Sequence, residues 1–423
     1  MPLFFYSTIA VFVLTYAIII SEKFHRTVVA LAGAILMILL GIISQEQAIE
    51  GIDFNTLGLL IGMMIVVGIA RQSGMFQAVA LYLAQKAKGR PIPIFILLGL
   101  TVAIFSALLD NVTTVLLMVP VTFVIANNLK ISPYPFLISA ILMSNVGGMA
   151  TLIGDPPNIM IGSAANLTFN DFLINLAPIS IIIMVVTMGG LYLWYKRELV
   201  TTKEAQAAIM KFNPKDALTD MPLLRHSLIV LAIVLLGFIM HGSTGLEGAT
   251  IALGGAALLL LLSLHDPHDH LREIEWTTIF FFIGLFVLVT GLEHSGAIRM
   301  LAEQLLVATA GSPTAMTLTI LWGSAILSAI VDNIPFVATM IPLIHDIGSL
   351  SGIALAPLWW ALAIGADIGG NATLIGASAN VVVGGMAEKE GTKIGFFSYM
   401  KVALPMTLVA LIISSVYMWV RYL

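Results

Sequence analysis

The sequence predicts an all-α polytopic membrane protein made of two repeats of opposite orientation. Three observations lead there. Of 423 residues, 59% are hydrophobic and only 10% charged, whereas a soluble domain covers its surface with roughly 25% charged residues. Many apolar segments reach the ~20 residues that cross a bilayer core. Residue types of the first half also recur 222 positions later without a gap.

Full spans are expected at 3–20, 26–44, 55–72, 172–194, 226–243, 248–265, 277–293 and 401–420. Two longer, broken spans are expected at 134–167 and 357–386, which makes about ten transmembrane helices. The first span lacks an A-x-A cleavage signature and reads as retained. The stretches 93–127 and 314–346 are too long for one crossing and carry Asp-Asn midway. Each reads as a re-entrant helical hairpin, with its ends on one side of the membrane. Amphipathic pieces at 76–90 and 297–308 are expected along the interface. The longest polar stretch, about 196–225, is too short to bury a core of its own. The predicted organisation is therefore a first repeat at 1–200, a linker at 201–225 and a second repeat at 226–423.

With both termini outside an inner (plasma) membrane, all but two of the 19 Lys and Arg residues fall on the cytoplasmic side. The two exceptions are Arg299 and Arg421, and such a bias normally decides topology. A net charge of −4 points to no nucleic-acid partner, only to lipid and a small solute. The absence of Cys excludes disulfides, thiolate metal sites and thiol catalysis. No HExxH or GxSxG motif marks an enzyme.

The repeat keeps rare polar residues in register. Gly62 maps to Gly284, Ser73-Gly74 to Ser295-Gly296, Asp110-Asn111 to Asp332-Asn333, and Pro120 to Pro342. GGMATLIG (147–154) maps to GGNATLIG (369–376), and Asn158 to Asn380. Five crossings and one hairpin per half place the second copy upside down. Inverted repeats with interrupted helices are the architecture of secondary transporters, with the solute near the midplane.

Four carboxylates fall deep within apolar stretches: Asp110, Asp155, Asp332 and Asp367. No Lys or Arg is expected at comparable depth to pair with them. These acids are therefore expected to line a wet cavity, bind a cation or carry a proton. At the hairpin tips Asn111 and Asn333 stand beside hydroxyls, Thr113 and Thr114 in the first tip, and offer hard oxygen ligands. The broken spans read SNVGGMATLIGDPPN (144–158) and ADIGGNATLIGASAN (366–380). Paired glycines, Gly148 among them, and Pro156-Pro157 cannot continue a helix. Helix packing alone does not require the polar residues between them, Asn145, Thr151 and Asn158, then Asn371, Thr373 and Asn380. No cofactor and no metal site is predicted. The run HDPHDH (265–270) reads as a solvated loop.

At these motifs the chain resembles the ArsB/P-protein branch of the ion-transporter superfamily. LDNVTTVLLMVPVT (109–122), IGDPPNIMIGS (153–163), VDNIPFVATMIP (331–342) and LWWALAIGADIGGNATLIGASANVV (358–382) look especially like the P-permeases. The resemblance covers nearly the whole chain and implies the superfamily fold, a homodimer and elevator-like movement. It implies arsenite/antimonite efflux coupled to proton influx, and leaves a soluble ATPase partner open. Relatives that carry dicarboxylates with Na⁺ have Ser-Asn-Thr at the tips. Here Asp-Asn adds titratable groups and favours proton coupling. Arsenite-pump members lack the GDPPN of 154–158. A Na⁺/H⁺ antiporter and an organic-anion carrier are the alternatives, the latter disfavoured by the missing deep cation.

Overall fold

Helices end where residue chemistry demands it, and those ends set the architecture. The structure, a computed structural model, describes residues 2–21, 23–263, 266–272 and 274–423. The first half runs α1 (Pro2–Ile20), α2 (Arg26–Leu39), α3 (Gln45–Glu50), α4 (Phe54–Gln72), α5 (Met75–Lys86), α6 (Pro91–Leu108), α7 (Asn111–Leu129), α8 (Tyr134–Gly148), α9 (Pro156–Ala165), α10 (Phe169–Asn175) and α11 (Ala177–Tyr195). A linker holds α12 (Lys203–Ile209). The second half runs α13 (Met221–Thr244), α14 (Gly248–Ser263), α15 (Pro267–Leu271), α16 (Trp276–His294), α17 (Ala297–Ala308), α18 (Pro313–Ser328), α19 (Asn333–Ser351), α20 (Ala356–Gly370), α21 (Ser378–Lys389) and α22 (Phe396–Tyr422). No strand occurs among the described residues.

Eight of these helices are long and apolar enough to cross a membrane. Their outer faces expose Val185, Leu193, Ile233, Leu236, Val416 and Trp419. So much exposed apolar surface suits lipid rather than water. The chain is an all-α polytopic membrane protein.

Both hairpins break at the Asp-Asn pair. Asp110 caps α7, its Oδ1 accepting from Thr113 N at 2.8 Å, and Asp332 caps α19 through Ile334 N at 3.1 Å. The broken spans leave free carbonyls that no water can reach inside a bilayer, so the protein must satisfy them. Asn158 Nδ2 donates to Gly148 O (3.3 Å) and Thr151 O (3.0 Å). Asn380 Nδ2 repeats this at Gly370 O (2.7 Å) and Thr373 O (2.9 Å).

Two expected spans differ. The one at 26–44 ends at Leu39, because Gly41 takes φ +67° and Ile42 N bonds back to Met37 O. The one at 172–194 divides into α10, capped by Thr168 and Asp171, and α11, whose second residue is Pro178. Of the run at 265–270, residue 265 lies outside the described residues, and Asp266 caps α15 through His268 N at 2.9 Å.

The halves meet through small residues. A Cβ on Gly62 (α4) would sit 2.5 Å from Ala252 C (α14), and one on Gly284 (α16) 2.7 Å from Ala30 C (α2). Both Gly62/Gly284 and Ala30/Ala252 are 222 apart, so each contact is the exchanged copy of the other, as across a two-fold axis. In lipid, close backbone approach and hydrogen bonds hold helices together.

Candidate functional site

The two hairpin tips and the two broken spans converge on one cavity of about 350 Å³. Each tip is locked to its own broken span by hydroxyls that repeat at the same offset. Ser106 Oγ donates to Ser144 O and Ser328 Oγ to Ala366 O, both at 2.6 Å. Thr151 Oγ1 donates to Ala107 O (2.5 Å) and Thr373 Oγ1 to Ala329 O (2.6 Å). Thr151 and Thr373 therefore anchor the tips, and neither lines the cavity. Gly148 lies so close to Gly154 that a Cβ would come within 2.7 Å of its oxygen.

Of the predicted residues, Asp110, Asn111, Asp155, Asp332 and Asn333 line the cavity. Behind them a buried amide network joins the halves. Asn111 Nδ2 donates to Asp155 Oδ2 (2.5 Å) and Asn145 Oδ1 (3.1 Å). Asn145 Nδ2 donates in turn to Asn371 Oδ1 and Asn380 Oδ1, both at 2.9 Å. Asp367 is buried in the same region, where the Asn158 and Asn333 side chains face its carboxylate without a hydrogen bond of normal geometry. Asn333 Nδ2, Asn111 Oδ1, Asn158 Oδ1 and Thr114 Oγ1 are likewise buried and unsatisfied. Thr113 contributes its backbone N–H to the Asp110 cap.

One expectation fails. The deep carboxylates do have a basic neighbour: Arg26 Nη1 donates to Asp332 Oδ2 at 2.9 Å and to Ser378 Oγ at 2.7 Å. Ser378 Oγ completes the triangle by donating to Asp332 Oδ2 at 2.6 Å. The guanidinium carbon lies 5.0 Å from the Phe281 ring centroid, a cation–π distance. In sequence Arg26 follows Lys23 and His25 and reads as a flanking charge. Folding brings the start of α2 against the second hairpin tip, 306 residues away. His25, Glu275, Thr278 and Ser378 also line the cavity and were not foreseen.

Asp155 lies within Coulombic reach of Asp110, Asp332 and Asp367. Several carboxylates around one guanidinium, close to the amide network, can exchange protons or cations while holding an oxygen-rich solute.

Over residues 16–365 the chain matches the CitMHS family, described as "Citrate transporter". It is 40% identical over 426 residues to a 46 kDa membrane protein of Mycobacterium leprae, covering 98% of each. It is 41% identical over 420 residues to an uncharacterized transporter of Mycobacterium tuberculosis, again covering 98% of each. The P protein of Homo sapiens is 32% identical over 491 residues, spanning 96% of this chain and 59% of that protein. In three dimensions the fold is similar to the YdaH transporter of Alcanivorax borkumensis, with TM-score 0.59, 17% identity and coverage of 91% and 87%. It is also similar to MtrF of Neisseria gonorrhoeae, with TM-score 0.62, 14% identity and coverage of 92% and 84%.

Proposed function

The chain belongs to the CitMHS (citrate transporter) family and is a membrane transporter, not an enzyme; from that premise we propose that it is a proton-coupled secondary transporter. The cavity between the hairpin tips is its solute path. The observation that carries this reading is the meeting of Asp110-Asn111 and Asp332-Asn333, with Asp155, at one cavity. The acids exchange protons, and the amides orient the solute. The halves at 1–200 and 226–423 act as inverted repeats, in a homodimer whose hairpin-bearing part moves across the membrane.

The solute is a small organic anion of the carboxylate class. Arg26 in the cavity supports this, because a guanidinium is the side chain best shaped to hold a carboxylate. A second reading, arsenite or antimonite efflux, is favoured by the unsatisfied amides of Asn111 and Asn333, which suit an uncharged trihydroxide. The same carboxylates also suit Na⁺, so a Na⁺/H⁺ exchanger is the third outcome to test.

Proteoliposomes separate these readings by the direction of the pH gradient. Acid outside drives uptake of a symported anion such as citrate; acid inside drives uptake of an antiported metalloid. Asp110→Asn together with Asp332→Asn should insert normally and lose gradient-driven uptake by about an order of magnitude or more, since each removes an intramembrane titratable group. Full proton-driven uptake in that double variant would sink the coupling role. Na⁺-dependent collapse of the gradient without solute uptake would favour the exchanger.

A further inference from the structure

We propose that Arg26 and Ser378 form an anion subsite which Asp332 occupies as an internal stand-in for the substrate carboxylate, and which a proton on Asp332 releases. The subsite deepens the transport reading above and rests on it.

The two oxygens of Asp332 do different work. Oδ1 accepts from Ile334 N and caps α19, while Oδ2 accepts from both Arg26 Nη1 and Ser378 Oγ. Only the first is needed to hold a hairpin tip. Asp110, the same residue in the other repeat, caps α7, and no basic side chain among the described residues bonds to it. At the 222-residue offset, Arg26 corresponds to Gly248 and Ser378 to Pro156. The triangle therefore exists in one repeat alone and is not part of the scaffold that both repeats share.

Its geometry is that of a carboxylate receptor. A guanidinium and a hydroxyl converge on one carboxylate oxygen at 2.9 and 2.6 Å, the lengths of charge-assisted hydrogen bonds. The Arg26 and Asp332 side chains are 32% and 17% exposed, and both face the cavity. A solute carboxylate can reproduce what Oδ2 supplies once Asp332 is neutral. Until then the attraction of Arg26 is cancelled, and the surrounding acids repel an anion.

Among the described residues, the other titratable groups facing the triangle are His25 beside Arg26, Glu275 at the start of α16, Asp110 of the first tip and Asp155 before α9, with Asp367 on α20 behind Asp155. The titration that unmasks the subsite must be told apart from theirs. The three partners also come from α2, the second hairpin and α21, so opening the triangle unties elements far apart in the chain.

The test is equilibrium binding of citrate, succinate and inorganic phosphate to the purified full chain, at mildly acidic and mildly alkaline pH. At least one of these anions should bind the wild type more tightly at the acidic pH. Asp332→Asn should bind it at both pH values with the acidic affinity. Arg26→Gln should weaken it by roughly ten- to a hundredfold, the cost of losing a hydrogen bond to a charged group. His25→Gln should keep the wild-type pH dependence. A purely structural ion pair would show none of this. Loss of binding in Asp332→Asn, intact binding in Arg26→Gln, loss of pH dependence in His25→Gln, or no anion bound by the wild type would each overturn the subsite. Proton-driven arsenite uptake that persists while no anion binds would overturn the subsite and leave the transporter standing. Anion binding without any solute movement would overturn the transport reading, and the subsite's role in transport with it.

Discussion

Asp367 and Asn145 occupy equivalent positions 222 residues apart, yet their surroundings differ. Asn145 is the hub of the amide network, bonded to Asn111, Asn371 and Asn380. Asp367 is buried with only the loosely placed Asn158 and Asn333 amides against its carboxylate. A buried carboxylate so weakly bonded costs several kcal/mol if charged. A fold that needed only a polar filler there would do better with the amide it already uses in the other repeat. Asp367→Asn should therefore leave thermal unfolding in detergent unchanged or slightly raised, while lowering proton-driven uptake by about an order of magnitude. Retained uptake would reduce Asp367 to a structural acid. At this scale the sequence was legible where polarity contradicts its surroundings, as at Asp110, Asp155 and Asp332. It was not legible at Arg26, Ser378 and Glu275. Each of those has an ordinary local explanation (a flanking charge, a small residue opening a helix, a helix-end acid), and only contacts spanning hundreds of residues bring them to the cavity.

Among the elements, the broken spans were readable because Gly-Gly and Pro-Pro forbid a continuous helix whatever surrounds them. The ends of α2 and α10 were not. Apolar residues run on past Gly41 to Ile42 and Ile43, and hydropathy cannot register a left-handed turn inside an apolar run. The glycines of the broken spans have a second use that their spacing hid. A Cβ on Gly147 would lie 2.1 Å from Ala103 O, and one on Gly369 2.3 Å from Ala325 O. These glycines press α8 against α6, and α20 against α18, backbone to backbone. Gly369→Val must push the helices apart and should destabilise by about 1–3 kcal/mol or more, as overpacking does. Gly385 on α21 is the control, since a Cβ there meets nothing within 4 Å. Gly385→Ala should stabilise by roughly 0.5–1 kcal/mol through helix propensity alone. Equal melting shifts for the two variants would show that the close approach of α18 and α20 does not matter.

Across the whole molecule, the contacts sort the loops onto two faces. The linker docks beside α4 and α5: Thr219 N donates to Ser73 O at 3.1 Å, and Gln85 Nε2 donates to Phe212 O. That face carries Arg71, Lys86 and Lys88. The opposite face gathers the end of α22, α10 and the end of α13. There Tyr417 donates to Asn175 O at 2.6 Å, Arg421 to Asn175 Oδ1 at 3.2 Å, and Asn170 Nδ2 to Ile239 O at 2.7 Å. The start of α4 belongs to this second face, where Asn55 Oδ1 accepts from Ala249 N at 3.0 Å. So α4 runs from one face to the other, as a crossing helix must. Since Lys and Arg concentrate in cytoplasmic loops, the linker face should be cytoplasmic and the α13–α14 turn external. The chain has no Cys of its own, so single substitutions report cleanly. In intact cells, an impermeant maleimide should label Leu246→Cys directly and Lys215→Cys only after permeabilisation. The reverse pattern would invert the protein in its membrane while leaving the fold intact. Labelling of both sites from one side would mean that α13 does not cross, which would break the count of five crossings per half that turns the second half over.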